Sequence, residues 1–136
     1  MIEKTFAIIK PDAVAQGHTG DIISMIERNG FTISRMEKIH ATKSQAEQFY
    51  AVHKERPFFQ ELTTSISSGP IVVMMLEKEN AIADWRELMG ATNPQQARVG
   101  TIRRMFASSI TANATHGSDA PETAQVELAF FFPQSK

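Results

Sequence analysis

A chain of 136 residues is long enough for one domain with a real core, and 42% apolar with 21% charged residues is globular rather than disordered composition. A formal net charge of −1 excludes the broad basic field of a dedicated nucleic-acid binder, so any anion site must be built from a few local Lys and Arg residues. With no cysteine there is no disulfide framework, thiolate metal site or cysteine nucleophile, which suits a reducing cytoplasm.

Met1-Ile-Glu-Lys4 carries an acid and leads directly into a strand-like run, so no signal peptide is expected. Thr5-Phe-Ala-Ile-Ile9 predicts a buried strand, ended by Lys10-Pro11-Asp12, with Lys10 emerging at the strand's C-terminal end, where α/β proteins tend to bind ligands. Gly17-His-Thr-Gly20 predicts a loop and Asp21 a helix cap. Ile22, Ile23 and Ile26 give that helix its apolar face, and Asn29-Gly30 its stop. Phe31 and Ile33 alternate with Thr32 and Ser34, predicting a half-buried strand to about Ile39, with a bulge near Arg35-Met36 where the alternation slips.

A helix opens at Thr42 or Ser44 and places Ala46, Phe49, Tyr50 and His53 on one face, where pattern alone favours packing over catalysis for Tyr50 and His53. Arg56-Pro57-Phe58-Phe59 breaks it and starts another, with Phe59, Leu62 and Ile66 inward. Phe58 falls off that face, either incidentally or as a stacking platform for a base. After the turn Ser67-Ser-Gly-Pro70, the run Ile71 to Leu76 reads as a central strand covered on both faces; it is far too short to span a membrane. Asn80 predicts a helix start, with Ile82, Trp85 and Met89 inward, Arg86 at the edge of the apolar stripe and Gly90 at the end. Residues 91–100 form a polar loop long enough to imply a role. Gly100-Thr101 opens a short helix with Arg103, Arg104 and Phe106, and Ser108 to Thr115 predicts a short strand ending at His116. The last helix, about Ala120 to Phe130, turns Ala124, Leu128 and Phe131 inward. Asp119-Ala-Pro-Glu122 reads as its capping box, with Pro121 in the first turn.

His116 therefore stands just before a helix N-terminus, where backbone N–H groups and the dipole favour an anion. Imidazole is partly unprotonated and nucleophilic at neutral pH, so a histidine beside an anion site points to phosphate chemistry. His18 and His40 fit no motif, and four histidines without cysteine give a zinc site little support. Stripped of added helices, the order is βαββαβ, an α/β (α+β) ferredoxin-like sandwich with a four-stranded antiparallel sheet and helices on one face, expected as a single domain over residues 1–136.

The chain resembles nucleoside diphosphate kinases over essentially its whole length. Six segments in order carry the resemblance: Thr5-Phe-Ala-Ile-Ile-Lys-Pro-Asp12, Arg56-Pro-Phe-Phe59, Ser68-Gly-Pro70, Met89-Gly-Ala-Thr-Asn-Pro94, Gly100-Thr-Ile-Arg103 and Asn113-Ala-Thr-His-Gly-Ser-Asp119. The resemblance implies transfer of the terminal phosphate of a nucleoside triphosphate, mainly ATP, to a nucleoside diphosphate through a phosphohistidine. It makes His116 the nucleophile, through Nδ1, with Ser118 and Glu127 orienting the ring and Tyr50 lining the site. Lys10 would touch phosphates and sugar, Asn113 the sugar, Phe58 the base, and Arg86, Thr92 and Arg103 the phosphates. Mg2+ would ride on the nucleotide phosphates and water, without a protein cage. Stacking on Phe58 reads no base edge, so low base selectivity is expected.

The sequence departs from the family pattern at Arg104-Met105, where a small residue and an aspartate are usual, and at Val99, where proline is common. The first change would alter inter-subunit contacts or tighten polyphosphate binding; the second would loosen the loop. The short C-terminus resembles the bacterial members and implies a homo-oligomer, dimer or tetramer. The rival functions are a nucleotide-binding regulator of the same fold without turnover, a role in interaction or nucleic-acid binding, and a simple phosphocarrier, which would need neither a stacking residue nor phosphate clamps.

Overall fold

A computed structural model describes residues 1–133. Strand β1 (Ile2–Ile9) is followed by α1 (Pro11–Ala15), α2 (Thr19–Arg28) and β2 (Thr32–Ile39). Helices α3 (Lys43–Phe49) and α4 (Phe59–Ile66), separated by a 3-10 turn at Ala51–His53, lead to β3 (Ile71–Glu79). Then come α5 (Ala81–Met89), a 3-10 turn at Pro94–Gln96, α6 (Ile102–Phe106), β4 (Thr115–Gly117) and α7 (Pro121–Phe131). The strands form one sheet in the order β2-β3-β1-β4, every neighbouring pair antiparallel. That is the ferredoxin-like arrangement.

Alternation along the two central strands divides the core. Ala7, Ile9, Val72, Met74 and Leu76 face one side with Ile22 and Ile26 of α2 and Trp85 and Met89 of α5. Phe6, Ile8, Val73 and Met75 face the other with Ala46 of α3, Phe59 and Ile66 of α4 and Leu128 of α7. The crossover helices share a face as expected, but α3, α4 and α7 cover the second. This is why β3 has no polar alternation: both its faces are dry.

Local chemistry explains most boundaries. Thr42 caps α3, accepting from the Gln45 N–H at 3.0 Å while the Gln45 side chain accepts from the Thr42 N–H at 2.9 Å. The β2 register shifts between Ile33 and Arg35, the expected bulge. Pro11 does more than end a strand: it opens α1 at a position where its missing N–H costs nothing. The loop expected at Gly17–Gly20 is shorter, because α2 begins at Thr19 and Asp21 lies within its first turn. Asn80 precedes α5 with a left-handed backbone (φ 58°) and no side-chain cap. The Glu3 carboxylate accepts the Ile82 N–H instead, at 2.9 Å.

Two expectations near the C-terminus fail. Ser108 to Thr115 is not a strand. The N–H groups of Ser108 and Ser109 both turn back to the Ala112 carbonyl, at 2.9 and 3.2 Å, which spends the backbone on a tight turn. Only Thr115–Gly117 joins the sheet, so His116 lies in the middle of the strand rather than at its end. The helix start is also displaced: Ala120 is the residue before α7, and Thr123, not Glu122, reaches back, accepting the Ala120 N–H at 3.0 Å.

Candidate active site

Strand register decides where His116 points. It pairs with Ile8, so its ring lies on the α3/α7 face, while Thr115 and Gly117, paired with Ile9 and Ala7, face α5. The imidazole sits among Phe6, Phe49 and Tyr50, with ring centroids 6.1, 5.5 and 6.0 Å away, all edge-on. Its Nε2 meets Glu127 Oε1 of α7 at 3.0 Å, and Ser118 Oγ donates to the same oxygen at 2.6 Å. A carboxylate oxygen that receives Ser118 places the proton of the imidazole on Nε2 and leaves the Nδ1 lone pair as the nucleophilic end. On the opposite face Trp85 Nε1 donates to the His116 carbonyl at 3.2 Å. Gly117 is required there: a Cβ would lie 2.5 Å from Trp85 Cδ1 and 2.7 Å from Met89 Cε.

The Tyr50 hydroxyl is buried beside this ring and has no hydrogen-bond partner among the described residues. Burial, and then the charge of Glu127, push it well above the usual phenol range, so it remains a donor awaiting an acceptor. Rings continue outward from Tyr50 to His53 at 6.3 Å and from His53 to Phe58 at 5.5 Å. Phe58 is 46% exposed at the start of α4.

The second half of the site is cationic and gathers at the end of β1. Lys10 is buried, and its Nζ donates to Asn113 Oδ1 at 2.9 Å. Burial, and then the charge of Arg103, push it down to about 8, against the pull of Asp12. Arg103 of α6 is buried too and donates to the carbonyls of Gly90 (3.0 Å), Asn113 (3.3 Å) and Thr115 (2.9 Å). Burial and then Arg86 push it down to about 10, which leaves it charged at neutral pH. Asp119 is held below the usual carboxylate range, chiefly by the Thr123 hydroxyl at 2.6 Å, with smaller pulls from Arg86 and His116. Arg86 thus stands within electrostatic reach of Arg103 and Asp119, and Asp119 within reach of His116.

The structure brings His116, Ser118, Glu127 and Tyr50 together, and separately joins Lys10, Asn113 and Arg103. Phe58, whose ring meets His53, is exposed, as are Arg86 of α5 and Thr92 in the loop between α5 and α6. A cavity of about 690 Å³ includes Arg86 and Asp119 but not His116, Lys10 or Phe58. Convergent donors rather than hollow volume mark the site. Arg104 donates to the Gln95 carbonyl of its own chain at 3.2 Å.

Sequence reasoning gave Asp12 and Ala114 no role. Asp12 Oδ2 accepts the Ala114 N–H at 3.1 Å, and the Lys10 N–H donates to the Ala114 carbonyl at 2.8 Å. An acid following Lys-Pro at a strand end was the available signal; alanine at φ 73° leaves none in the sequence.

Comparison with known proteins decides the relationship. The family model described as Nucleoside diphosphate kinase matches residues 3–136. The chain belongs to the nucleoside diphosphate kinase family. It is 61% identical over 131 residues to the nucleoside diphosphate kinase of Trichlorobacter lovleyi, covering 96% of this chain and 95% of that one. The nucleoside diphosphate kinase of Pelobacter propionicus is 62% identical over 131 residues, with 96% of each covered. Among solved structures, the nucleoside diphosphate kinase of Aquifex aeolicus superposes with TM-score 0.95 at 44% identity, covering 97% of this chain and 96% of that one. That of Encephalitozoon cuniculi gives 0.92 at 34% identity, over 96% and 88%. Family membership makes the chain a nucleotide phosphotransferase that acts on nucleotides. Among the described residues no helix is long and apolar enough to cross a membrane.

Proposed function

We propose that His116 carries the transferred phosphate between a nucleoside triphosphate and a nucleoside diphosphate, in a ping-pong cycle. Nδ1 attacks the terminal phosphorus, an N–P bond forms, and the P–O bond to the departing diphosphate breaks with its electron pair leaving on that oxygen. A second diphosphate reverses the step. The observation that carries this reading is the Nε2–Glu127 contact at 3.0 Å, which frees Nδ1 and balances the positive charge the ring gains on phosphorylation.

Lys10, Arg86, Arg103 and Thr92 hold the phosphates, Asn113 with Lys10 holds the sugar, and Phe58 stacks on the base. Tyr50, its hydroxyl unpaired, donates toward the reacting group, and Ser118 holds Glu127 in place. Phosphoryl transfer has a loose transition state, so positioning and positive charge are what a protein can supply. No three carboxylates or imidazoles come together as a metal cage among the described residues. Mg2+ is assigned to the nucleotide substrate, on its phosphates, and no step above passes through it. The same reading takes ATP as the main donor, little selectivity among bases, a cytoplasmic setting and a homo-oligomer, dimer or tetramer. β2, at the sheet's edge and largely exposed, leaves a surface for assembly; light scattering measures the number of subunits.

The test is the half-reaction. Protein, Mg2+ and γ-labelled ATP without acceptor should give acid-labile, alkali-stable label that GDP or dCDP then removes as the matching triphosphate. His116→Ala should take no label. ATP binding without label on folded protein would leave only a nucleotide-binding relative.

A further inference from the structure

Among the described residues, only Asn80 and Ala114 combine a side chain with a positive φ. Asn80 is exposed, and asparagine tolerates that conformation through its short polar side chain. Ala114, at φ 73°, has no such help and is fully buried. The Thr115 N–H closes a three-residue turn about it on the Asn113 carbonyl at 2.9 Å, a strained conformation that persists only when its surroundings hold it there.

The surroundings are specific. Asp12 Oδ2 accepts the Ala114 N–H at 3.1 Å, and the Lys10 N–H grips the Ala114 carbonyl at 2.8 Å. Arg103 fixes the carbonyls on either side, those of Asn113 and Thr115, at 3.3 and 2.9 Å. Meanwhile Asp12 Oδ1 is buried with no well-formed hydrogen bond among the described residues, though the N–H groups of Asp12 and Ala13 pull on the carboxylate. A buried carboxylate is costly, and Lys10 and the backbone N–H groups of the first turn of α1 offset only part of that cost: burial still holds the Asp12 carboxyl above the usual carboxylate range.

Ala114 is also the pivot of the site. Asn113, bonded to the Lys10 ammonium, lies on one side of it; Thr115 and His116, locked into the sheet, lie on the other. Returning Ala114 to a negative φ would swing Asn113 away from Lys10 while His116 stayed in register.

We propose that Asp12 is a positioning residue for phosphoryl transfer: by latching the Ala114 N–H it fixes the Lys10–Asn113 pair relative to His116. The proposal rests on His116 being the phosphate acceptor. It assigns Asp12 no contact with substrate.

Rapid-quench labelling of His116 by ATP and Mg2+, with steady-state kcat and KM for GDP, tests it in wild type, Asp12→Ala, Asp12→Asn, Asp12→Glu and Asp12→Ala/Ala114→Gly. Circular dichroism checks that each is folded at the assay temperature. Misplacement of about 1 Å costs on the order of 100-fold, so Asp12→Ala should lower the labelling rate and kcat by roughly 10- to 100-fold, with KM within about threefold. Asn keeps an acceptor oxygen in place and should retain most activity; Glu keeps the charge but displaces it and should fall with Ala. Glycine takes a positive φ without a latch, so the double variant should recover at least about fivefold over Asp12→Ala. The latch is overturned if folded Asp12→Ala labels at the wild-type rate, if Ala114→Gly restores nothing, or if Glu is active where Asn is not. Should Asp12→Ala not fold, the Asn and Glu pair decides alone. Failure of the wild type to label would remove the His116 reading instead, and so separates the two.

Discussion

His116 and Phe58 lie at the two ends of one line of aromatic rings, and the chain treats them in opposite ways. The His116 side chain is 19% exposed, ringed by aromatics, hydrogen-bonded through Nε2 and backed by a glycine wedged under Trp85. Phe58 is 46% exposed, its ring set against that of His53. Lys10 and Arg103 repeat the first treatment, buried and hydrogen-bonded, while Arg86 and Thr92 repeat the second. In the proposed cycle the atom that makes the new bond and the buried cations that meet the transferred charge are held before the ligand arrives, since every degree of freedom left to them is entropy lost in the transition state. Groups that only embrace the ligand must leave it a way in. The division between fixed and open halves is a claim about energetics, and substitutions on each side can break it.

The largest effect belongs to the fixed half. His116→Ala should abolish labelling and lower turnover by about 10⁴-fold or more, because no other described side chain offers a lone pair in its place. Residual turnover above about 1% of wild type would place the nucleophile elsewhere. Next is Gly117→Ala, which leaves every chemical group intact. Its Cβ would lie 2.5 Å from Trp85 and 2.7 Å from Met89. Overpacking there should cost about 1–3 kcal/mol of stability, read as a lowered denaturant midpoint. Displacement of the neighbouring histidine should cut kcat by on the order of 100-fold. A stable variant with normal kcat would mean that the strand has slack and the fixed half is not fixed.

In the open half, Phe58→Ala should raise KM for diphosphates by roughly 5- to 100-fold, the worth of one stacked base, with kcat little changed. The rise should be alike for purine and pyrimidine substrates. A loss confined to one base would mean that an edge is being read and that low selectivity has another origin.

The pH profile separates the halves by charge. Lys10, pushed down to about 8, is cationic below that value and neutral above it. kcat/KM reports the free enzyme, so it should fall about tenfold per unit above pH 8, whereas bound phosphates restore the charge and hold the limb of kcat to higher pH. The same shift makes the unfolded chain bind more protons than the native one between about pH 8 and 10.5, so Lys10 by itself makes ligand-free stability rise over that window. A kcat/KM flat to pH 9.5 would show that the buried ammonium is not needed as a cation.

What the sequence revealed divides along similar lines. β1 and β3 were legible because continuous apolar runs have few other uses; Lys10, Phe58, Thr92, Arg103, Asn113, His116 and Ser118 could be proposed for the site because each stands in a short motif, whereas Tyr50, Arg86 and Glu127 stand in none. The turn at Ser108–Ala112 was misread as a strand: its alternation of small and apolar residues resembles a pleat, and only the doubled bond to the Ala112 carbonyl shows that its backbone is already spent. The reason for Gly117 lies on α5, and the left-handed bend at Ala114 lies in a dihedral angle. Neither is written in neighbouring letters. Contacts across the sheet and the sign of φ are the two kinds of fact that local pattern does not carry.

Arg104 gives the smallest expected effect and the sharpest test of the boundary between the halves. It stands where the family usually has a small residue, next to buried Arg103, and an added cation so close to the phosphate site could serve chemistry. The geometry assigns it elsewhere: it is exposed, and its Nη1 donates to the Gln95 carbonyl at 3.2 Å, tying α6 to the loop that carries Thr92. An exposed hydrogen bond of this kind steadies a loop by about 0.5 kcal/mol or less. Arg104→Gly should therefore raise KM for the triphosphate about twofold and leave kcat and the labelling rate unchanged, as expected of a residue that orders the open half. A tenfold fall in the labelling rate would place its guanidinium on the phosphates and move the boundary of the fixed half out to the surface of α6.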